Sequence, residues 1–278
     1  MHTHTHTYTE MVRLPAGQVF VQHWQPPPTG PEADAAPIVL LHESLGCVGL
    51  WRDFPAQLAL ATGRTVLAYD RLGFGRSSPR HGPPDLRFIE HEAQEHFPAL
   101  MQALGIARYA LLGHSVGGVM ALQIAATHPA QCTAVLSLSA QAYVQPRTLE
   151  GIRAAQVFFA DPQAWARLEK WHGERTDWLF HAWTDAWLHP DFADWSLDAV
   201  LPQVRCPVLA IHGTHDEYGS TEFAQRIAAG VPQGQVLLLD CAHHPHREQT
   251  AHVLDAARMF LAQGTAQSAE QAAAPVLL

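Results

Sequence analysis

Cysteines, long apolar runs and positive charge are all scarce in this sequence of 278 residues. The four cysteines, Cys47, Cys132, Cys206 and Cys241, lie far apart and form no CxxC pair. They therefore predict neither a zinc site nor a thioredoxin-like redox motif. Cys132 and Cys206 adjoin apolar runs and are expected to be core thiols, which fits a reducing compartment such as the cytoplasm.

The lack of long apolar runs bears on membranes. No run approaches the roughly 20 residues that cross a bilayer, so no transmembrane helix is expected. The first ten residues contain no apolar segment, which predicts no signal peptide, and a cytoplasmic location is expected. The formal net charge of −9 argues against nucleic acid and anionic membranes as partners.

Strand-like apolar runs alternate with helix-like segments along most of the chain. The predicted strands cover residues 19–21, 38–41, 65–69, 109–112, 134–138, 208–211 and 236–239. The predicted helices cover residues 51–62, 85–105, 119–126 and 248–261. The run at 38–41 shows no polar alternation, which predicts burial on both faces. This order predicts an α/β fold with a mostly parallel sheet and helices on both faces.

The alternation stops between residues 143 and 202, where six of the eight tryptophans lie. We interpret this segment as a helical, Trp-rich cap inserted into a core of residues 11–142 and 203–263. Trp183 and Trp187 are expected to line an apolar substrate pocket, although packing among cap helices explains most single tryptophans. Flexible tails are expected at residues 1–10 and 264–278.

A Gly-x-Ser-x-Gly turn joins a predicted strand to a predicted helix at residues 113–117. This context is that of a nucleophile elbow. The flanking glycines carry no Cβ, which permits a tight turn and exposes the serine hydroxyl near the start of the next helix. We therefore predict that Ser115 is the nucleophile of a serine hydrolase. His114 beside it is expected in the substrate pocket.

A serine nucleophile needs a general base and an acid that orients it, in the chain order Ser, acid, His. Asp216 follows a late strand and is the predicted acid, with the adjacent Glu217 as the alternative. His243 follows the last strand and is the predicted base, with His244 and His246 as alternatives. No metal is expected in this histidine cluster, because no group of Asp, Glu or Cys stands at ligand spacing.

Two N–H groups are expected to form an oxyanion hole. Val116 supplies one, and the loop after the strand at 38–41 supplies the other, from Ser44 or secondarily Glu43. If its carboxylate points inward, Glu43 would oppose the oxyanion or select a cationic or hydroxylated substrate. An outward orientation that only ties down the loop is favoured, and Glu43 is grouped with the pocket residues.

On these motifs the chain resembles the α/β-hydrolase superfamily over nearly its whole length. The elbow has the form found in carboxylesterases, residues 70–77 are similar to the D-x-x-G-x-G-x-S turn, and residues 212–216 resemble the H-G-x-x-D acid loop. The chain is most similar to capped bacterial esterases of the pimeloyl-carrier methyl ester esterase and proline-iminopeptidase-like group. It departs from them at Glu43 and Ala242, where glycine is usual, and neither change removes a catalytic group.

The resemblance implies a serine esterase that works through an acyl-enzyme, and no cofactor is expected. The Trp-rich cap predicts that its substrates are small apolar or aromatic esters. The same residues would serve a C–C bond hydrolase, an amidase or a cofactor-free perhydrolase. A non-catalytic small-molecule-binding protein is a further alternative, because a fold alone does not determine function. Haloalkane dehalogenation is disfavoured, since it uses an aspartate where Ser115 stands.

Overall fold

A computed structural model describes residues 4–28, 35–83 and 85–273, and its centre is one eight-stranded sheet. The strand order is β1-β2-β4-β3-β5-β6-β7-β8. The strands are β1 His6–Leu14, β2 Gly17–Gln25, β3 Ile38–Leu41, β4 Val66–Tyr69, β5 Tyr109–His114, β6 Cys132–Leu138, β7 Val208–Gly213 and β8 Gly234–Leu239.

The sheet is parallel from β4 to β8, whereas β2 pairs antiparallel with both β1 and β4. Every residue of β3, β4 and β5 is buried, as expected for parallel strands covered on both faces. Val39 and Leu41 join one buried apolar cluster, and Ile38 and Leu40 join another, because successive side chains point to opposite faces. The predicted α/β fold with a mostly parallel sheet is confirmed.

Ten α-helices occur among the described residues. They are α1 Phe54–Thr62, α2 Phe88–His91, α3 Phe97–Ala103, α4 Val116–Thr127, α5 Pro146–Phe159, α6 Pro162–His172, α7 Thr176–Trp187, α8 Glu222–Gly230, α9 Pro245–Glu248 and α10 Thr250–Ala273. Gly63 ends α1 with a φ of 67°, the left-handed cap that glycine favours. A π-helical segment, Glu92–His96, joins α2 to α3.

The segment 143–202, all of which the structure describes, contains α5, α6 and α7, and its only β pairing is an isolated bridge between Tyr143 and Ser196. Its helices contact loops at the carboxyl end of the sheet. Thr148 Oγ1 donates to the Tyr218 carbonyl at 2.7 Å, and Arg175 Nη1 donates to the Gly75 carbonyl at 3.0 Å. The insertion therefore lies over the edge where the loops after the strands meet.

The terminal segments differ from the predicted tails. Residues 6–10, expected to be flexible, form the first half of β1. Backbone pairing with β2 orders them, although most of their side chains are exposed. At the other end α10 continues to Ala273, into the segment that was expected to fray from residue 264. Residues 1–3 and 274–278 of the two predicted tails lie outside the described residues.

All four cysteines are buried free thiols, and the Sγ atoms of Cys132 and Cys206 lie 3.7 Å apart. This agrees with their prediction as core residues. Among residues 4–28, 35–83 and 85–273, we find no helix that combines the length and the apolar character needed to span a membrane.

Candidate active site

Ser115 lies in a strained turn between β5 and α4. Its φ of 53° and ψ of −124° are unusual for a residue other than glycine, and such strain is typical of functional sites. A Cβ on Gly113 would overlap the Gly117 carbonyl, and a Cβ on Gly117 would overlap the Leu41 carbonyl. The two glycines are therefore needed to bring the turn against β3.

Asp216 and His243 meet between the loops that follow β7 and β8. Both carboxylate oxygens of Asp216 lie 2.9 Å from His243 Nδ1. The Tyr218 backbone N–H also donates to Asp216 Oδ1 at 2.8 Å, and His212 Nε2 lies 3.2 Å from Oδ2. Three groups therefore surround the carboxylate. Because it contacts Nδ1 of His243, the other ring nitrogen, Nε2, is left for the reacting proton.

The surroundings of Asp216 keep its side chain ionised. Burial alone would raise the pKa of this carboxyl, but the nearby His212 and the hydrogen-bonded His243 outweigh burial and lower the pKa. An ionised carboxylate accepts the Nδ1–H of His243, which leaves the lone pair on Nε2. This is the tautomer that a general base requires.

Ser115 shares a cavity with His243. The cavity has a volume of about 200 Å³, and its wall includes Glu43, Ser44, Gln141 and His244. Gln141 Nε2 donates to Ser115 Oγ at 3.3 Å. An engineered apolar cavity of about 150 Å³ holds benzene, so this space fits an acyl group of about that size.

A second cavity of about 70 Å³ adjoins the first. Ser44, Trp183 and Trp187 line both cavities, and the second also contains the buried Arg71 and the side chain of Val116. The two tryptophans predicted to line a pocket therefore form a shared wall. The two cavities thus share Ser44 and both tryptophans in their walls.

The loop after β3 is held by buried groups. His42 Nδ1 donates to the Glu43 carbonyl at 2.8 Å, and Arg71 Nη2 donates to the same oxygen at 2.9 Å. His42 Nε2 accepts the Arg71 backbone N–H at 3.2 Å. Burial and the Arg71 charge keep the pKa of His42 well below its ordinary value. Val116 begins α4, so its N–H is among the first four of the helix, which lack an intrahelical acceptor.

The Glu43 side chain borders the cavity of Ser115 and is 18% exposed. Its Oε2 lies 3.5 Å from Nδ1 of the fully buried His114. Burial would raise the pKa of Glu43, but His114, with smaller contributions from Arg247 and His244, brings the pKa well below the ordinary value. The expectation that Glu43 points away from the site does not match this placement, because His114 draws the carboxylate into the cavity wall.

The alternative residues occupy other surroundings. Glu217 is exposed, whereas Asp216 is buried. His246 is buried against Trp51, with ring centroids 4.9 Å apart. His244 borders the Ser115 cavity but contacts His114, with ring centroids 4.9 Å apart. Of the predicted acids and bases, only Asp216 and His243 meet at hydrogen-bond distance among the described residues.

Two site residues were missed from the sequence. Gln141 follows the carboxyl end of β6, the position that pointed to Asp216 after β7, but its neutral amide gave no titratable signal. His212 entered the sequence analysis only as the first residue of the H-G-x-x-D motif, without a role of its own. Because it lies four residues before Asp216 on the same edge, the end of β7 could have drawn attention to it.

Comparisons with known proteins agree with this fold. A sequence model of the α/β hydrolase fold matches residues 36–177. RutD of Pseudomonas savastanoi pv. phaseolicola, named as a putative carbamate hydrolase, is 27% identical over 230 residues, which are 75% of this chain and 87% of RutD. The proline iminopeptidase of Mycobacterium smegmatis has a TM-score of 0.76 at 24% identity, covering 94% of this chain and 100% of its own.

A further solved structure is the enol-lactonase of Burkholderia xenovorans LB400. It has a TM-score of 0.69 at 20% identity, covering 91% of this chain and 100% of its own. At these identities the structural matches show the fold, and the sequence model shows the family. The chain belongs to the α/β-hydrolase fold family, and it is a hydrolase of that family.

Proposed function

We propose that this protein is a serine hydrolase that cleaves carboxylic esters of small apolar or aromatic substrates through an acyl-enzyme. One observation carries the proposal: His243, bonded through Nδ1 to both oxygens of Asp216 at 2.9 Å, borders the same cavity as Ser115 on its elbow. A base oriented by a carboxylate beside a serine hydroxyl is the arrangement that activates a serine nucleophile.

In the proposed reaction, Ser115 Oγ attacks the ester carbonyl carbon while its proton passes to His243 Nε2. The carbonyl electrons move to oxygen, and the N–H groups of Val116 and Ser44 stabilise that oxyanion. When the intermediate collapses, His243 returns the proton to the leaving alcohol and an acyl-enzyme remains. Water, deprotonated by His243, then attacks the acyl carbon and releases the acid and Ser115.

The size and lining of the cavities support small apolar or aromatic substrates. The 200 Å³ space beside Ser115 would take one half of the ester and the 70 Å³ space the other. Trp183 and Trp187 supply an aromatic wall to both, as is usual in small-molecule pockets. The helical insertion that carries them would act as the cap.

Carbamate cleavage is the second candidate, and it is favoured by the similarity to RutD, which extends over 75% of the chain. The chemistry differs only in the acyl group, since Ser115 would form a carbamoyl-enzyme. Matched p-nitrophenyl esters and carbamates share one leaving group, so their ratio of kcat/KM separates the two candidates. Faster turnover of the ester supports the esterase, and faster turnover of the carbamate supports the alternative.

A fluorophosphonate probe tests the nucleophile directly. We expect stoichiometric covalent labelling of the wild-type protein and none of Ser115→Ala. Ser139→Ala is the matched control, because Ser139 also follows a parallel strand and has a φ of 50°; it should label as the wild type does. Labelling that persists in a folded Ser115→Ala variant, or a wild-type protein that neither labels nor turns over esters, would contradict the proposal.

A further inference from the structure

Three potential metal ligands converge beside the Ser115 cavity from separate parts of the chain. Glu43 lies in the loop after β3, His114 ends β5, and His244 follows β8. One ligand atom from each residue lies within 4.8 Å of the others. The sequence does not reveal Glu43 as a partner of these histidines, because Glu43 is distant in the chain and only the fold brings it close.

The hydrogen bonding of His114 directs a lone pair into this cluster. Its Nε2 lies 2.8 Å from the His243 carbonyl, and a carbonyl only accepts, so Nε2 carries the proton and donates. In a neutral ring the other nitrogen, Nδ1, then carries a lone pair. That Nδ1 is buried and has no hydrogen-bond partner among the described residues.

Nδ1 of His114 instead faces Glu43 Oε2 at 3.5 Å. If Nδ1 carries its lone pair, a cation placed between it and the Glu43 carboxylate would be bound by both groups. Histidines that bind metals usually donate their other ring N–H to a carboxylate or a backbone carbonyl, which fixes the tautomer. His114 meets that description through the His243 carbonyl.

His244 completes the set with a second imidazole. The Glu248 carboxylate holds its backbone N–H at 3.1 Å. The ring also borders the Ser115 cavity, so an ion bound here would face the substrate space.

We propose that Glu43, His114 Nδ1 and His244 form a binding site for a divalent transition-metal ion of the Zn²⁺ type. Two imidazoles and one carboxylate suit Zn²⁺, and three protein ligands leave a position open. Bonds of about 2.0–2.1 Å place tetrahedral ligand atoms about 3.3 Å apart, close to the 3.5 Å between Glu43 and His114. The site does not depend on Ser115 being a nucleophile.

Binding of Zn²⁺ and Co²⁺ tests this site by calorimetry and by the visible absorption of bound Co²⁺. The N-terminal histidines could bind metal by themselves, so every protein should carry His2→Ala, His4→Ala and His6→Ala. We expect one ion per chain, with Co²⁺ absorption typical of a four-coordinate site. Removing one ligand should weaken binding at least about 10-fold, since even outer-shell changes cost about 10- to 100-fold.

Glu43→Gln and His244→Ala are the test variants, and both side chains border a cavity rather than the apolar core. His215→Ala is the matched control, because His215 is also a histidine in contact with a carboxylate, Asp240, at 2.7 Å, but lies outside the cluster. It should bind as the background protein does.

Circular dichroism and the melting temperature establish that each variant is folded. Absence of saturable binding in the background protein, or undiminished affinity in folded Glu43→Gln and His244→Ala, would overturn the proposal. Ser115→Ala should keep the metal affinity, so loss of the esterase function and loss of the metal site remain distinguishable.

Discussion

Replacing Asp216 by asparagine tests how the carboxylate controls His243. In the Asp216→Asn variant, the amide oxygen is expected at the Oδ1 position, because the Tyr218 N–H donates there at 2.8 Å. The NH₂ group then takes the Oδ2 position, 2.9 Å from His243 Nδ1. The NH₂ group favours a lone pair on Nδ1, in competition with the amide oxygen that also lies 2.9 Å from it, and with the ring proton on Nε2 His243 cannot accept the proton of Ser115. The variant also lacks the negative charge that stabilises the imidazolium.

The expected loss in kcat is about 10⁴-fold, the size seen when a triad aspartate becomes asparagine with its geometry intact. This corresponds to about 5.4 kcal/mol in activation free energy. The assay is p-nitrophenyl acetate hydrolysis together with the rate of fluorophosphonate labelling. Glu217→Gln is the matched control, since this exposed neighbour should keep activity within about twofold of the wild type. A folded Asp216→Asn variant within about 10-fold of wild-type kcat, or an equal loss in Glu217→Gln, would refute the reasoning.

Two further predictions concern acid stability and the pocket wall. The pKa of Asp216 is lowered in the folded protein, so its stabilising contribution is present above its unfolded pKa of about 3.9 and is lost as the pH falls towards the folded value. Urea titrations should therefore show a steeper fall in unfolding free energy below about pH 5 for the wild type than for Asp216→Asn; parallel curves would contradict this. Trp183 lines both cavities, so Trp183→Ala should raise KM for p-nitrophenyl benzoate about 10-fold, or about 1.4 kcal/mol, and raise KM for the acetate less. Equal changes for both esters would argue against an aromatic pocket wall.

The sheet was largely predictable because its central strands are buried on both faces. Runs such as residues 38–41 and 109–112 are continuously apolar, so they can be recognised as strands from the sequence alone. β1 was not predicted because its residues 6–10 are exposed and show no apolar pattern in the sequence. Backbone hydrogen bonds to β2 hold this strand, and they do not depend on the side chains. The last helix was predicted to end at Leu261, with a flexible tail from Gly264, but α10 continues to Ala273. The alanine- and glutamine-rich residues after Gly264 suit a helix, and one glycine does not end it.

The site residues that could be predicted are reactive side chains that directly follow a strand. Ser115, Asp216 and His243 each follow a strand of the parallel sheet, and such ends meet at one edge. The orientation of Glu43 was not predictable, because it depends on His114, which reaches the same edge from another strand. The role of Gln141 was also not predictable from the sequence, since only the folded structure shows that its amide lies near Ser115 Oγ.

The His42 and Arg71 side chains, together with the Gly46 N–H, hold the Glu43 carbonyl and so determine where the next N–H points. The carbonyl of Glu43 and the N–H of Ser44 belong to one peptide unit, which is planar and trans, so they point in opposite directions. By fixing that oxygen, Arg71 and His42 orient the Ser44 N–H proposed to meet the oxyanion. The Ser44 N–H is then oriented once, during folding, so the loop does not have to reorganise in each catalytic cycle. Arg71, a buried cation, thereby acts on the proposed oxyanion hole through the backbone of this loop.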